Sequence, residues 1–213
     1  MTSKSFSVEF VRRREINEYD SQFNKSGKTP AGEPIEFRAY VHRVIRNYVA
    51  FEWDTVSNTA CLRISQLPGK IKYEHVRKEF NALVSPWLDI SHFQLFNLHK
   101  GIVKLLKLEK SGKGITRAQG FDIHSLQGRS MSAKSNATDN SVFGEASIDA
   151  AFELMVKKGV GNQGNFYWLP KRGNPLSEEL RVALIGNKNR VNFTSPSNEA
   201  IVRHVLSDIR KNC

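Results

Sequence analysis

The chain has 213 residues and a marked excess of positive charge, with 32 lysines and arginines against 21 aspartates and glutamates and a formal net charge of +11. Its 39% of hydrophobic and 25% of charged residues are typical of a globular protein and exclude a fibre or a wholly disordered chain. The longest uninterrupted run of apolar residues is four, whereas a membrane-spanning helix needs about 20. We therefore expect no membrane partner, and the net charge indicates a polyanionic one.

The N-terminal residues and the cysteines indicate an intracellular protein. The first ten residues lack the apolar stretch of a secretory signal. The two cysteines, Cys61 and Cys213, lie far apart and form neither a CxxC pair nor a disulfide framework, which suits a reducing compartment. The six histidines do not cluster with them at the spacing of zinc ligands, so we expect no metal site and no cofactor. These features predict a cytoplasmic location.

The first third of the chain predicts an antiparallel β-meander. Alternating Phe6, Val8 and Phe10 indicate an opening strand with one apolar face. Residues 21–34 are rich in turn formers and predict an exposed loop. Strand-like alternation resumes over residues 35–64, with turn residues in between.

The next segments predict one helix and, less regularly, two strands. A helix is expected over Tyr73–Val84 and ends before Pro86, since proline disfavours helical geometry at the preceding residue. Its apolar stripe consists of Val76, Phe80, Leu83 and Val84. The segment Phe93–Leu108 mixes apolar and basic residues. We interpret it as two short strands in preference to a helix, because Ser111–Gly114 resembles a turn.

A serine-rich segment over residues 127–143 divides the predicted fold. It has too few apolar side chains to offset its ordering entropy, which predicts a mobile loop or an interdomain linker. We therefore predict an α+β fold with antiparallel strands and three to four amphipathic helices. It would form two compact parts, over residues 1–126 and 144–213, joined by this segment.

The C-terminal part predicts two helices and several short strands. The first helix covers Ser147–Lys158 and ends with Gly159 as a left-handed cap. The last helix starts at Ser195–Pro196, a capping serine followed by proline. Strands are predicted at Phe166–Leu169 and Arg190–Phe193, and a short helix or strand at Ser177–Ile185.

Residues Gly159–Gly164 match the GxGxxG pattern of dinucleotide-binding loops, but their context does not. A helix precedes the pattern and an aromatic strand follows it, the reverse of the order that brings phosphate to a helix N-terminus. Two interpretations remain: a helix cap with a flexible connection, which we favour, or a glycine-rich loop that approaches a phosphate beside Lys157 and Lys158. Ser111–Gly114 lacks the glycine and hydroxyl of a nucleotide-hydrolysing loop.

The basic residues are concentrated in two windows. Lys100–Arg117 has six cations against Glu109 alone, and on a hairpin they would form a ladder that follows a phosphate backbone. Lys157–Arg190 has seven cations around Phe166–Trp168, and cations interleaved with aromatics suit single-stranded nucleic acid. Alternation along a strand would send the first and third aromatics into the core, which leaves Tyr167 outside.

These windows predict a nucleic-acid-binding protein that contacts the phosphate backbone of RNA or single-stranded DNA, as a subunit of a larger nucleoprotein or multiprotein assembly. The predicted contact residues are Lys104, Lys107, Lys110, Lys113, Arg117, Lys157, Lys158, Tyr167, Lys171 and Arg172.

Two alternatives remain open. A metal-free endonuclease would need an acid and a base that titrate near neutral pH. His92 and His99, with Asp89 and Lys100 beside them, are the local group that would serve. The other alternative is a protein-interaction subunit whose positive surface binds an acidic protein. Of these we favour binding over catalysis, because the sequence contains no recognisable nucleophile motif.

Overall fold

The computed structural model of the protein describes residues 5–67, 71–136 and 140–213. These residues contain ten strands in antiparallel sheets and four α-helices, which confirms the predicted α+β fold. The chain divides into two compact units, Met1–Gln94 and Leu95–Cys213. In the part of the chain that the structure describes, every helix is too short or too polar to cross a membrane.

The first unit is built on a long antiparallel ribbon. In it β1 (Ser5–Tyr19) pairs with β4 (Tyr40–Asp54) along its whole length, and β5 (Thr59–Ile64) pairs with the C-terminal part of β4. The sheet has the strand order β1-β4-β5, which confirms the opening strand predicted at Phe6–Phe10 and the strands predicted within residues 35–64.

Two short strands connect β1 to β4 along the chain. They are β2 (Lys25–Lys28) and β3 (Pro34–Phe37), and they pair with each other as a hairpin. The exposed loop predicted over residues 21–34 is therefore wrong in part. The strand β2 has only polar side chains and a glycine and pairs through its backbone, so it leaves no apolar alternation in the sequence.

The helix of the first unit, α1 (Tyr73–Val84), has the bounds that its periodicity predicts. Its buried side chains pack against the sheet, and the core of this unit contains Val49, Phe51, Leu67, Val76, Phe80 and Val84. Leu83, which was expected on the buried stripe, is 56% exposed. The stripe therefore follows the i, i+4, i+8 positions alone.

The first helix of the second unit, α2 (Leu98–Lys110), lies where the sequence favours two strands. That prediction is wrong because the apolar positions Leu98, Ile102 and Leu105 recur with the helical period, and all three are buried. The lysines between them occupy the solvent side of the same helix. A helix N-cap is also present, since the Asn97 side chain accepts a hydrogen bond from the backbone N–H of Lys100.

The rest of the second unit is one five-stranded antiparallel sheet and two more helices. The strand order is β10-β9-β8-β6-β7. The strands are β6 (Thr116–Ser125), β7 (Ser130–Lys134), β8 (Gly159–Trp168), β9 (Leu180–Ile185) and β10 (Arg190–Phe193), and the helices are α3 (Ala146–Val156) and α4 (Glu199–Asn212).

The helices α2 and α3 pack against one face of this sheet, and α4 packs against α2. Ile102, Phe152 and Val205, one from each helix, are fully buried in a core shared with Phe166 and Trp168 of β8. Because successive residues of a strand point to opposite faces, the residues between these core positions point to the other face. Among the described residues of the unit, that second face is covered by no helix.

The serine-rich segment 127–143 lies within the second unit, whereas the division of the chain falls between Gln94 and Leu95. Part of the segment forms β7, which pairs with β6, and Val142 is buried in the core. The strands on either side of it, β6 and β8, pair with each other in one sheet. The structure therefore differs from the predicted parts 1–126 and 144–213. Residues 137–139 of the predicted linker lie outside the described residues.

Two helix ends differ from their predictions. The last helix begins at Glu199 after Asn198, whose side chain caps it, instead of at Ser195–Pro196. The preceding helix ends at Val156. Gly159 is the first residue of β8 and does not have a left-handed φ, so it is not the predicted helix cap. The short element predicted at 177–185 is a strand, β9.

The glycines of the GxGxxG pattern serve helix packing. They lie within β8, and a Cβ atom on Gly161 would stand 2.6 Å from Cγ2 of Ile102 and 3.0 Å from the carbonyl oxygen of His99. Both loop interpretations of the pattern are therefore wrong. Glycine is required because α2 lies directly on the backbone of β8 at this position.

Candidate nucleic-acid interface

The uncovered face of the five-stranded sheet brings one tyrosine and two arginines together on neighbouring strands. Arg117 of β6 lies directly opposite Tyr167 of β8, which in turn lies directly opposite Arg181 of β9. Directly opposite residues in antiparallel strands point to the same face, with Cβ atoms about 4.5–5.5 Å apart. The three side chains therefore form one row across the sheet, which we call the Arg–Tyr–Arg row.

Arg117 is the most firmly held member of the row. Its guanidinium donates two hydrogen bonds to the Glu179 carboxylate, of 2.7 and 2.5 Å, and its side chain is 17% exposed. The guanidinium carbon lies 5.0 Å from the centroid of the Tyr167 ring. A bidentate pair fixes the plane of a guanidinium. The row thus contains a fixed cation–aromatic pair.

Arg181 supplies the accessible charge of the row. Its side chain is exposed and, within the described residues, forms no ion pair. It lies on the opposite side of Tyr167 from Arg117, and among the described residues Glu179 forms its ion pair with Arg117 and not with Arg181. The exposed guanidinium of Arg181 is free to contact a ligand.

A second row crosses all five strands at the position two residues before Tyr167 on β8. On one side, Lys134 of β7 lies opposite Gly120 of β6, which lies opposite Asn165 of β8. On the other side, Ala183 of β9 lies between Asn165 and Asn192 of β10 and pairs with both. Because Asn165 is two residues from Tyr167, this row points to the same face as the Arg–Tyr–Arg row. It provides a cation and two amides, which donate and accept hydrogen bonds.

A bulge in the pairing of β6 and β8 places a further polar group near the other end of this face. The Asn162 side chain donates a hydrogen bond of 2.8 Å to the Asp122 carboxylate. The same carboxylate oxygen lies 3.0 Å from Nε2 of His124. Bulges often redirect a side chain in this way.

The predicted lysines of the first basic window lie on the helical side of the sheet. Lys100, Lys104 and Lys107 are exposed on α2 at the i, i+4 and i+7 positions, a set that we call the α2 lysine stripe. The Lys104 ammonium donates a hydrogen bond of 3.1 Å to the carbonyl oxygen of Lys211. The stripe contains no aromatic or amide side chain. It is a plain cationic surface.

Lys110 and Arg117 do not belong to this stripe, so the predicted ladder is wrong as a single surface. The Lys110 ammonium lies 2.6 Å from the Glu153 carboxylate and 3.3 Å from the carbonyl oxygen of Asp149. Its hydrogen bond and charge lower the pKa of the Glu153 carboxyl. Arg117 lies beyond the end of the helix, on the other face of the sheet.

The remaining predicted cations lie in connections between elements. Lys171 donates a hydrogen bond of 3.0 Å to the carbonyl oxygen of Gly114, which ties the connection after β8 to the connection before β6. The others are exposed, namely Lys113 after α2, Lys157 and Lys158 after α3, and Arg172 after β8. None of them has a described contact with Tyr167.

The two histidines of the endonuclease alternative belong to different units. His92 is 82% exposed in the first unit, with its Nε2 atom 3.4 Å from the Asp89 carboxylate. His99 opens α2 in the second unit, and its Nδ1 atom is 2.7 Å from the carbonyl oxygen of Gly161. That contact holds α2 against β8, which is a structural role.

Sequence reasoning identified Tyr167 and Arg117 but missed the residues that surround them. Arg181 lies inside the second basic window, and alternation from Tyr167 would have selected Asn165. Lys134 lies in the segment that was predicted to be a linker, so no local signal connects it with the others. Their proximity depends on the order and register of five strands.

Searches of the chain against protein-family models, curated proteins and solved structures find no match.

Proposed function

We propose that the second unit binds nucleic acid, RNA or single-stranded DNA, on the uncovered face of its sheet. The observation that carries the proposal is the Arg–Tyr–Arg row, in which an aromatic ring stands between two cations. Arg181 and Lys134 would contact phosphates, because lysines and arginines that neutralise phosphates release counterions and so supply affinity. Aromatic and basic side chains together on one open surface are typical of single-strand binding.

The α2 lysine stripe is the competing basic surface, and the geometry favours it less. Its exposed residues are lysines alone, as on an ordinary solvated helix face. The sheet face adds an aromatic ring and two amides to its cations. Since both surfaces belong to the same unit but lie on opposite sides of its sheet, substitutions can separate their contributions.

The decisive measurement is the salt dependence of binding. We expect a fluorescently labelled oligouridine to bind with an affinity that falls as salt rises, and Arg181→Ala or Lys134→Ala to reduce the slope by about 0.7–1 each. Lys107→Ala on the α2 lysine stripe is the matched control and should leave the slope unchanged. A flat salt dependence of the wild-type protein, or a loss confined to Lys107→Ala, would contradict the proposal.

The same titration separates the two alternatives. The oligonucleotide recovered after incubation should be intact, and cleavage abolished by His92→Ala or His99→Ala would instead indicate the endonuclease. Failure to bind any oligonucleotide would favour an acidic protein partner. The expected place in a larger assembly is supported by the exposed apolar side chains of Phe6 and Trp87, which line one apolar groove of the first unit, since contiguous exposed apolar surface often marks protein contacts.

A further inference from the structure

We infer that the ligand of the sheet face is a single strand and that one of its bases stacks on the Tyr167 ring, an inference that rests on the proposed function. Tyr167 lies on β8, the middle strand of the sheet. Its neighbours Phe166 and Trp168 are buried on the opposite face. The ring of Tyr167 is half-buried on the uncovered face, one residue before the C-terminal end of β8, where a ligand that crosses this end of the sheet would meet it.

The ring is already held in position before any ligand binds. The guanidinium of Arg117 lies over it, and the Glu179 carboxylate holds that guanidinium with two hydrogen bonds. A side chain that is fixed in this way loses little conformational freedom on binding. The aromatic platform is therefore preorganised, which favours stacking over a loose phosphate contact alone.

Groups that suit a nucleotide lie on the same face as the ring. Arg181 stands directly opposite it on β9 and offers a phosphate contact. Asn165 and Asn192 lie in the adjacent row on the same face, and their amides can hydrogen-bond the edges of an unpaired base. Within two neighbouring rows, Arg181 would bind a phosphate, the Tyr167 ring would stack on a base, and the asparagine amides would hydrogen-bond the edge of a base.

A duplex cannot use this arrangement. Its bases are stacked on each other, and their edges are reached only through a groove by a projecting helix, ribbon or side chain. Tyr167 is half-buried among the side chains of a sheet face and so does not reach into a groove. A single strand can splay its bases onto such a surface, since stacking is open to every base. The sheet face should therefore discriminate single strand from duplex.

The test compares two Tyr167 variants on labelled single-stranded oligouridine and on the same label in a duplex. Tyr167→Leu should weaken single-strand binding about 5- to 150-fold, with an unchanged salt slope because no phosphate contact is lost. Tyr167→Phe keeps the ring and is the matched control, expected to bind within about twofold of the wild type. The wild-type protein should bind the duplex more weakly than the single strand, because a duplex does not offer an unpaired base to the ring.

Stacking is also measurable without any variant. An oligonucleotide with 2-aminopurine at successive positions should lose fluorescence at one or a few positions when the wild-type protein saturates it. No change at any position, or wild-type affinity in Tyr167→Leu while Arg181→Ala binds weakly, would overturn base stacking and leave phosphate binding in place. Wild-type affinity in both Tyr167→Leu and Arg181→Ala would overturn base stacking and also the assignment of the sheet face as the binding surface. Preference for the duplex would overturn the single-strand assignment.

Discussion

The guanidinium of Arg117 stands over the ring of Tyr167, with its central carbon 5.0 Å from the ring centroid, although 49 residues separate them along the chain. Glu179 binds the same guanidinium with both carboxylate oxygens. A phosphate presents oxygens to arginine in the same bidentate manner. Under the proposed function, Glu179 would therefore compete with a phosphate for Arg117.

The first prediction is that Glu179→Gln strengthens binding of single-stranded oligonucleotide. The glutamine amide oxygen can still accept a hydrogen bond from Arg117 and keep it beside Tyr167, but it no longer neutralises the guanidinium. Arg117 then becomes available to a phosphate, so affinity should rise several-fold and the salt slope should steepen by about 0.7. Fluorescence anisotropy at several salt concentrations measures both. The control is Glu178→Gln, which removes the same charge from the neighbouring exposed residue. An equal effect of both substitutions would show that net charge alone changes the affinity, and would contradict a specific role of Glu179 on Arg117.

The second prediction concerns Glu109, whose carboxylate is largely buried. Burial raises the pKa of this carboxyl, against the hydrogen bonds that it accepts from the Ser141 hydroxyl and the Ala118 backbone N–H. A folded-state pKa above the unfolded value means that the proton binds the folded protein more tightly. The resulting stability is present below the unfolded pKa and is lost as pH rises through the folded pKa.

We therefore expect the stability of the wild type relative to Glu109→Gln to decrease as pH rises above the ordinary range of a glutamate carboxyl. Hydrogen exchange of the amides in α2 measures this locally. Glu153→Gln is a control of opposite sign, because the Lys110 hydrogen bond lowers the pKa of Glu153 and the corresponding stability is lost as pH falls. A wild-type advantage over Glu109→Gln that grows with pH would contradict the assignment.

The third prediction is that Gly161→Ala destabilises the second unit by about 1–3 kcal/mol, the usual cost of overpacking. The added Cβ would stand 2.6 Å from Cγ2 of Ile102, so α2 must shift away from β8. Urea unfolding followed by hydrogen exchange in β8 provides the measurement. Val160→Ala, at the neighbouring exposed position, should cost much less. Equal stability of Gly161→Ala and the wild type would mean that α2 does not rest on this strand.

The helices and strands that could be predicted from the sequence are those in which apolar residues recur without interruption at the helical or strand spacing. The helix Tyr73–Val84 was predicted with correct bounds because its buried positions follow the helical repeat between clear ends. The outward direction of Tyr167 was expected from strand alternation and agrees with its half-buried state beside a buried Phe166 and Trp168. In α2 the apolar residues Leu98, Ile102 and Leu105 follow an equally regular helical repeat, but lysines lie between them, and strands were wrongly favoured from the sequence.

The sequence by itself therefore determined the α+β class, the basic character and the side of its strand on which Tyr167 lies, because side-chain direction depends on neighbours along the chain. Only the tertiary structure decided that Tyr167 has Arg117 on one side and Arg181 on the other. That row depends on which strands pair and in what register, and a shift of one residue would turn each side chain to the opposite face. Packing of Ile102 into the glycines of β8 and burial of the opposite face hold that register.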